Sequence, residues 1–206
     1  MEGNKLAILV GGGPAPGINA VIGAATIRAR LEGIDVLGIR DGFEWIMKRD
    51  IDHVMPLGID VVSRIHFRGG SYLGIARANP TKDPKLLDRT IDSLLRLGVS
   101  QLVTIGGDDT AFSAMKLEER AAGRIRVVHV PKTIDNDLDL PAHVDTFGFQ
   151  SARHYGGQIV QKLWMPLNTT DLAPYLSQIR RDADAVFALP VAATALRFPK
   201  QYQDAG

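Results

Sequence analysis

Gln101-Leu102-Val103-Thr104-Ile105-Gly106-Gly107-Asp108-Asp109-Thr110 is a short apolar run that ends in two glycines and two carboxylates. A run of this length closed by glycine reads as a buried strand followed by a turn. The pattern returns one unit later, where residues 126–130 lead into Pro131-Lys132-Thr133-Ile134-Asp135-Asn136-Asp137. In open α/β sheets ligands bind at the carboxyl ends of the strands, so the two turns bring four carboxylates and a lysine to one edge. Hard cations take oxygen ligands, and phosphoryl transfer is mostly positioning and charge stabilisation. The grouping therefore suits a polyanion held by a divalent metal with an acid/base residue beside it. Solvated turns are the plain alternative, since Asn and Asp are ordinary turn residues.

Working outward, residues 6–10 form a continuous apolar run that meets Gly11-Gly12-Gly13-Pro14-Ala15-Pro16-Gly17. Ile18, Val21, Ile22 and Ala25 then recur at helical spacing as far as Gly33, which reads as strand, glycine turn, helix. The turn matches neither common nucleotide loop: Pro16 stands where the dinucleotide fingerprint has Gly, and Ile18 where the phosphate loop has Lys. Its glycines still allow close backbone approach, and a helix N-terminus offers N–H groups and a positive dipole end to an anion. A tight turn without a ligand fits the glycines equally well.

Residues 34–39 read as a second buried strand, and 40–57 as an irregular hairpin with Phe43, Trp45 and Ile46 covering the core edge. A short helix is expected over 61–66. In the glycine-rich loop 68–77, Arg77 is a candidate anion ligand, because its planar fork matches phosphate oxygens; a solvated surface arginine is the alternative. Asp83-Pro84 opens a helix whose Leu87, Ile91, Leu94 and Leu95 share one face and which stops at Gly98. Helices are expected over 111–122 and, interrupted by Gly156-Gly157, over 146–163. Strands and helices that alternate in this way predict an α/β fold with a doubly wound, mostly parallel sheet, a flavodoxin-like or solute-binding-lobe-like three-layer sandwich.

The chain has 206 residues, 45% hydrophobic and 23% charged, with a net charge of +1 and no cysteine. This composition predicts a globular domain and makes no case for nonspecific nucleic-acid or membrane binding. Disulfides, thiolate metal sites and cysteine nucleophiles are excluded. The start, Met1-Glu2-Gly3-Asn4-Lys5, lacks the basic region and cleavage site of a signal peptide, and no apolar run reaches the roughly 18 residues of a membrane span, so a cytoplasmic protein is expected.

Five stretches resemble the 6-phosphofructokinases: Gly12-Gly13-Pro14-Ala15-Pro16-Gly17-Ile18-Asn19, Leu73-Gly74-Ile75-Ala76-Arg77, Gly106-Gly107-Asp108-Asp109-Thr110, residues 131–137, and Thr146-Phe147-Gly148-Phe149. Their order and spacing agree over residues 4 to about 162. Asp109 and Lys132 resemble the pyrophosphate-dependent branch, since ATP users carry Gly at both positions. A side chain at 109 would crowd and repel an adenosine-bearing phosphate, while Lys132 gives a cation to bare pyrophosphate. The resemblance implies that Asp135 is the general base toward the sugar hydroxyl, with Asp137 supporting it. It further implies that Asp108 holds Mg²⁺, that Gly12, Arg77, Asp109 and Thr110 surround the phosphoryl donor, and that Lys132 and Thr133 stabilise the group in transit.

Residues 163–206 are similar instead to part of the second lobe of branched-chain amino-acid type solute-binding proteins. Asp171 is placed to cap a helix bearing Leu172, Tyr175, Leu176 and Ile179, residues 185–189 read as a buried strand, and Pro199 predicts a kink or late start in a last helix. The basic, acidic and histidine residues of the family's sugar-phosphate clamp are not found. The expectation is thus a single α/β domain over 1–206, a chimera of a kinase-like part (1–162) and a βαβα tail (163–206) that retains phosphate or pyrophosphate and Mg²⁺ binding without turnover. The alternative is a pyrophosphate-dependent phosphofructokinase that phosphorylates fructose 6-phosphate.

Overall fold

The computed structural model describes residues 4–134, 141, 143–159 and 171–179. Five strands, β1 (Lys5–Val10), β2 (Asp35–Ile39), β3 (Val54–Leu57), β4 (Val99–Gly106) and β5 (Arg126–Pro131), form one sheet in the order β3-β2-β1-β4-β5. β1 pairs in parallel with β2 and β4, and β4 with β5; only β3 runs antiparallel, against β2. β3 is a sheet edge, where the missing N–H of Pro56 is tolerated. This is the expected α/β architecture, a mostly parallel sheet with helices on both faces.

The central strand explains the two layers. Leu6, Ile8 and Val10 pack with Ile18 and Ile22 of α1 (Ile18–Leu31) and Val62 of α2 (Ile59–Val62). The alternate residues Ala7 and Leu9 pack on the other face with Ile91 and Leu94 of α3 (Pro84–Arg96) and Leu117 of α4 (Asp108–Ala121). A parallel strand buried on both sides has to be apolar at every position rather than at alternate ones, which is why 6–10 reads as an unbroken run.

The helix boundaries depart from expectation at three places. The short helix covers Ile59–Val62 and passes into turns, rather than spanning 61–66. α4 begins at Asp108, three residues before its first apolar contact position, so both carboxylates lie in its first turn. α5 (Phe149–Ile159) begins at Phe149 instead of 146, because Phe147 forms a parallel bridge with Lys132 and Gly148 takes a φ of 95°, both incompatible with helix. Gly156 and Gly157 lie within α5 and do not break it.

The chain divides into two compact units, Met1–Arg153 and His154–Gly206. In the second unit Asp171 Oδ1 accepts from Ala173 N at 3.1 Å and leads into the short helix α6 (Ala173–Leu176), with Leu172 and Leu176 buried. The strand expected at 185–189 and the helix around Pro199 lie outside the described residues. Among the described residues no helix is long and apolar enough to cross a membrane.

Candidate functional site

The carboxyl ends of β1 and β4 meet where three turns converge. The glycine loop after β1 is held down by Gly11 N–H donating to Ile105 O at 2.9 Å and Gly12 N–H donating to Ala76 O at 3.2 Å. The second of these bonds draws in the loop that carries Arg77. α4 is seated on both strands through Thr110, which is 6% exposed. Here glycine is required by close approach: a Cβ at Gly106 would stand 2.6 Å from Thr110 Cβ, and one at Gly11 would collide with Thr110 Oγ1.

Between these turns lies a cavity of about 200 Å³, lined by Gly12, Gly13, Ala76, Arg77, Ala78, Asn79, Asp109 and Thr110. The structure therefore brings Gly12, Arg77, Asp109 and Thr110 to one wall. Arg77 and Asp109 are exposed at its rim. Asp108 is the neighbour of Asp109 on the first turn of α4 and is exposed, but does not line the cavity. Two carboxylates at a helix start gain from the positive end of its dipole, yet they repel a bare anion, so an anion here calls for a cation partner. Among the described residues no three His, Cys, Asp or Glu side chains cluster as a ready cation cage. The oxygen donors Asp108 and Asp109 nevertheless suit Mg²⁺, which takes one or two carboxylates and completes its shell with water and phosphate oxygens.

Lys132 borders the same loop. It is 3% exposed, its backbone N–H donates to Gly106 O at 2.8 Å, and its ammonium donates to Gly13 O. The Lys132 side chain is thus held against the glycine turn. Thr133 O accepts from the Thr146 hydroxyl at 2.8 Å, and Phe147 packs over Gly17, where an added Cβ would lie 2.6 Å from two ring carbons. Asp135 and Asp137 lie outside the described residues.

His129 escaped the sequence reading. It pairs with Thr104 across β4 and β5. Its Nδ1 lies 2.8 Å from Thr104 Oγ1 and its Nε2 3.1 Å from Gly106 O. The carbonyl can only accept, so the proton sits on Nε2, and the hydroxyl donates to Nδ1: a neutral ring satisfied at both ends. Burial pushes its pKa below the usual histidine value, and the Gly106 carbonyl and the Asp108 carboxylate offset this only in part. The unfolded chain then takes up a proton first as the pH falls through about 6.5, so the native state loses stability from there downward to the lower folded value. Chemical denaturation of the parent between pH 8 and 5 should show this acid-side decline, and His129→Gln should flatten it. A slope unchanged in the variant would mean that another group sets it.

A larger cavity, about 410 Å³, is lined by Leu6, Ala25, Ala29, Leu102 and Val128 among others, near the amino ends of the parallel strands. That is the end of an open sheet that ligands seldom use, so size is a poor guide here.

A doubly wound, mostly parallel sheet with a cavity at its strand ends defines an open-sheet α/β lobe. The chain belongs to the phosphofructokinase family, whose description, Phosphofructokinase, matches residues 5–170. It is 51% identical over 179 residues to the pyrophosphate–fructose 6-phosphate 1-phosphotransferase of Thermotoga maritima, covering 87% of this chain and 43% of that protein. It is 52% identical over 164 residues to the enzyme of the same name from Naegleria fowleri, covering 80% and 38%. Against the ATP-dependent 6-phosphofructokinase of Actinobacillus pleuropneumoniae the identity is 34% over 159 residues, covering 77% and 47%. The chain thus spans less than half the length of these relatives. Among solved structures, phosphofructokinase from Saccharomyces cerevisiae superposes with a TM-score of 0.66 at 22% identity, over 72% of this chain and 22% of that one. At that identity the likeness speaks for the fold alone.

The family match runs to residue 170, past the boundary drawn at 162 from sequence. Residues 163–170, read above as the start of a solute-binding segment, therefore belong to the phosphofructokinase match, and the comparisons lend no support to a chimera.

Proposed function

We propose that this chain is the phosphoryl-donor lobe of a pyrophosphate-dependent 6-phosphofructokinase, with fructose 6-phosphate as acceptor. The observation that carries this reading is the cavity that Gly12, Arg77, Asp109 and Thr110 share, with the Lys132 ammonium docked on the adjoining Gly13 carbonyl. The higher identity to pyrophosphate users than to the ATP user supports the choice of donor. Asp109 narrows the rim against an adenosine-bearing phosphate, and Lys132 supplies fixed charge for a bare one. Asp108, with Asp109 beside it, would hold Mg²⁺; when bound, the ion neutralises charge on the transferring phosphoryl oxygens. Lys132 and Thr133 steady the group in transit, Asp135 takes the proton of the sugar hydroxyl, and Asp137 supports it.

Titration calorimetry of the chain with Mg²⁺ and pyrophosphate tests the donor site. Saturable heat is expected, and Arg77→Ala should weaken binding about tenfold, the loss of one exposed charge-assisted contact. No heat at millimolar pyrophosphate would overturn the reading. A coupled assay for fructose 1,6-bisphosphate, run on the same protein, separates binding from turnover.

A further inference from the structure

Asn79 lines the same cavity as Arg77 and Asp109. Its side-chain oxygen is engaged on the far side: it accepts from Thr81 N–H at 2.8 Å and from the Thr81 hydroxyl at 2.6 Å, with the Ser113 hydroxyl 3.4 Å away. A backbone N–H can only donate, so the amide is oriented by its partners, oxygen toward the turn Pro80–Lys82 and nitrogen away from it. Ser113 stands on α4, where its hydroxyl also lies 2.8 Å from Asp109 O. Ser113 has one proton and gives it to the shorter of these contacts, so the amide is held by Thr81 and stands beside the helix that carries Asp109. Its nitrogen makes no hydrogen bond among the described residues.

We propose that Asn79 is a further ligand of the phosphoryl donor, its Nδ2 donating to a phosphate oxygen in this cavity. The inference rests on the pyrophosphate reading above. A neutral donor is useful at this point: it engages an anion oxygen without forming the ion pair with the adjacent Asp109 that a second cation would favour. Because Thr81 fixes the amide before any ligand arrives, little rotamer freedom is lost on binding.

Asn79→Asp tests this, since the carboxylate keeps an oxygen for Thr81 while replacing the NH₂ with a second acceptor. The dissociation constant for magnesium pyrophosphate should rise at least tenfold, with the melting temperature unchanged. In ¹H–¹⁵N spectra of the parent, the side-chain amide pair that disappears in Asn79→Asp should move during titration with pyrophosphate and saturate at the calorimetric constant. If the parent binds and Arg77→Ala weakens it, but Asn79→Asp binds like the parent, this inference alone is overturned. A weakened variant with a stationary Asn79 amide pair overturns direct contact as well, leaving charge acting at a distance. A parent that takes up no pyrophosphate overturns the functional reading and this one together. Should Asn79→Asp fail to fold, the Asn79 amide pair, assigned in the parent by triple-resonance spectra, decides by itself: movement on titration supports the contact and a stationary pair overturns it.

Discussion

Lys132→Met is expected to raise the dissociation constant for magnesium pyrophosphate between about ten- and a hundredfold, the span that about 1.5–3 kcal/mol of a charged hydrogen-bond contact implies. The effect should exceed that of Arg77→Ala because of where each cation sits. Arg77 is exposed at the cavity rim, where water screens it, whereas Lys132 is buried and held against the Gly13 carbonyl. Met has nearly the same length and shape, and the bond from the backbone N–H of residue 132 to Gly106 O is unaffected by the change, so β4 and β5 should stay paired. Stability should move less than affinity. Gly13 O loses a donor, at about 1 kcal/mol if water replaces it, and the desolvation cost of a buried ammonium disappears at the same time. Calorimetry and urea denaturation of the same sample read the two quantities separately. Parent-like affinity in Lys132→Met would show that the lysine is a structural strut for the glycine loop and no part of the donor site.

What could be read from sequence divides along local and nonlocal lines. The unbroken apolar run at 6–10, the Asp83-Pro84 helix start and the glycine turns are local signals, and the strands and helices they announce are present. Asp83 Oδ1 does accept from Lys85 N at 2.8 Å, as a capping residue should. α4 starts earlier than periodicity predicts because Asp108-Asp109-Thr110 has no apolar periodicity; the acidic residues at its start are the local signal of that boundary. The delayed start of α5 depends on Phe147 pairing with Lys132, a contact between residues 15 apart that periodicity does not report. Asn79 is legible in sequence only as an Asn-Pro turn. Its place in the cavity follows from β1 lying beside β4 and from the bond of Gly12 to Ala76, which draws the loop to that edge. His129 was hidden for the same reason, as both of its partners come from β4.

Gly11→Ala and Gly106→Ala should both destabilise the protein, and Thr110→Ala should rescue only the first. Replacing glycine by alanine restricts the unfolded chain and by itself stabilises by about 0.4–1 kcal/mol where the backbone allows. Overpacking a close contact costs about 1–3 kcal/mol, so the clash wins at both positions. The two clashes differ in which atoms of Thr110 they meet. At position 11 the new Cβ collides with Oγ1 and lies 3.1 Å from Cγ2, while Thr110 Cβ is 3.3 Å away. Thr110→Ala removes the two offending atoms and leaves a tolerable contact. At position 106 the new Cβ would lie 2.6 Å from Thr110 Cβ itself, an atom that alanine keeps. Denaturation midpoints of the three single and two double variants give the coupling directly: favourable for Gly11→Ala with Thr110→Ala, and much smaller for Gly106→Ala with Thr110→Ala. Because Thr110 seats the first turn of α4, the unrescued variant should also shift Asp109 at the cavity rim and weaken pyrophosphate binding along with the fold. Equal rescue at both positions would mean that α4 is free to slide along the strand ends, and that the two glycines do not fix where its carboxylates stand.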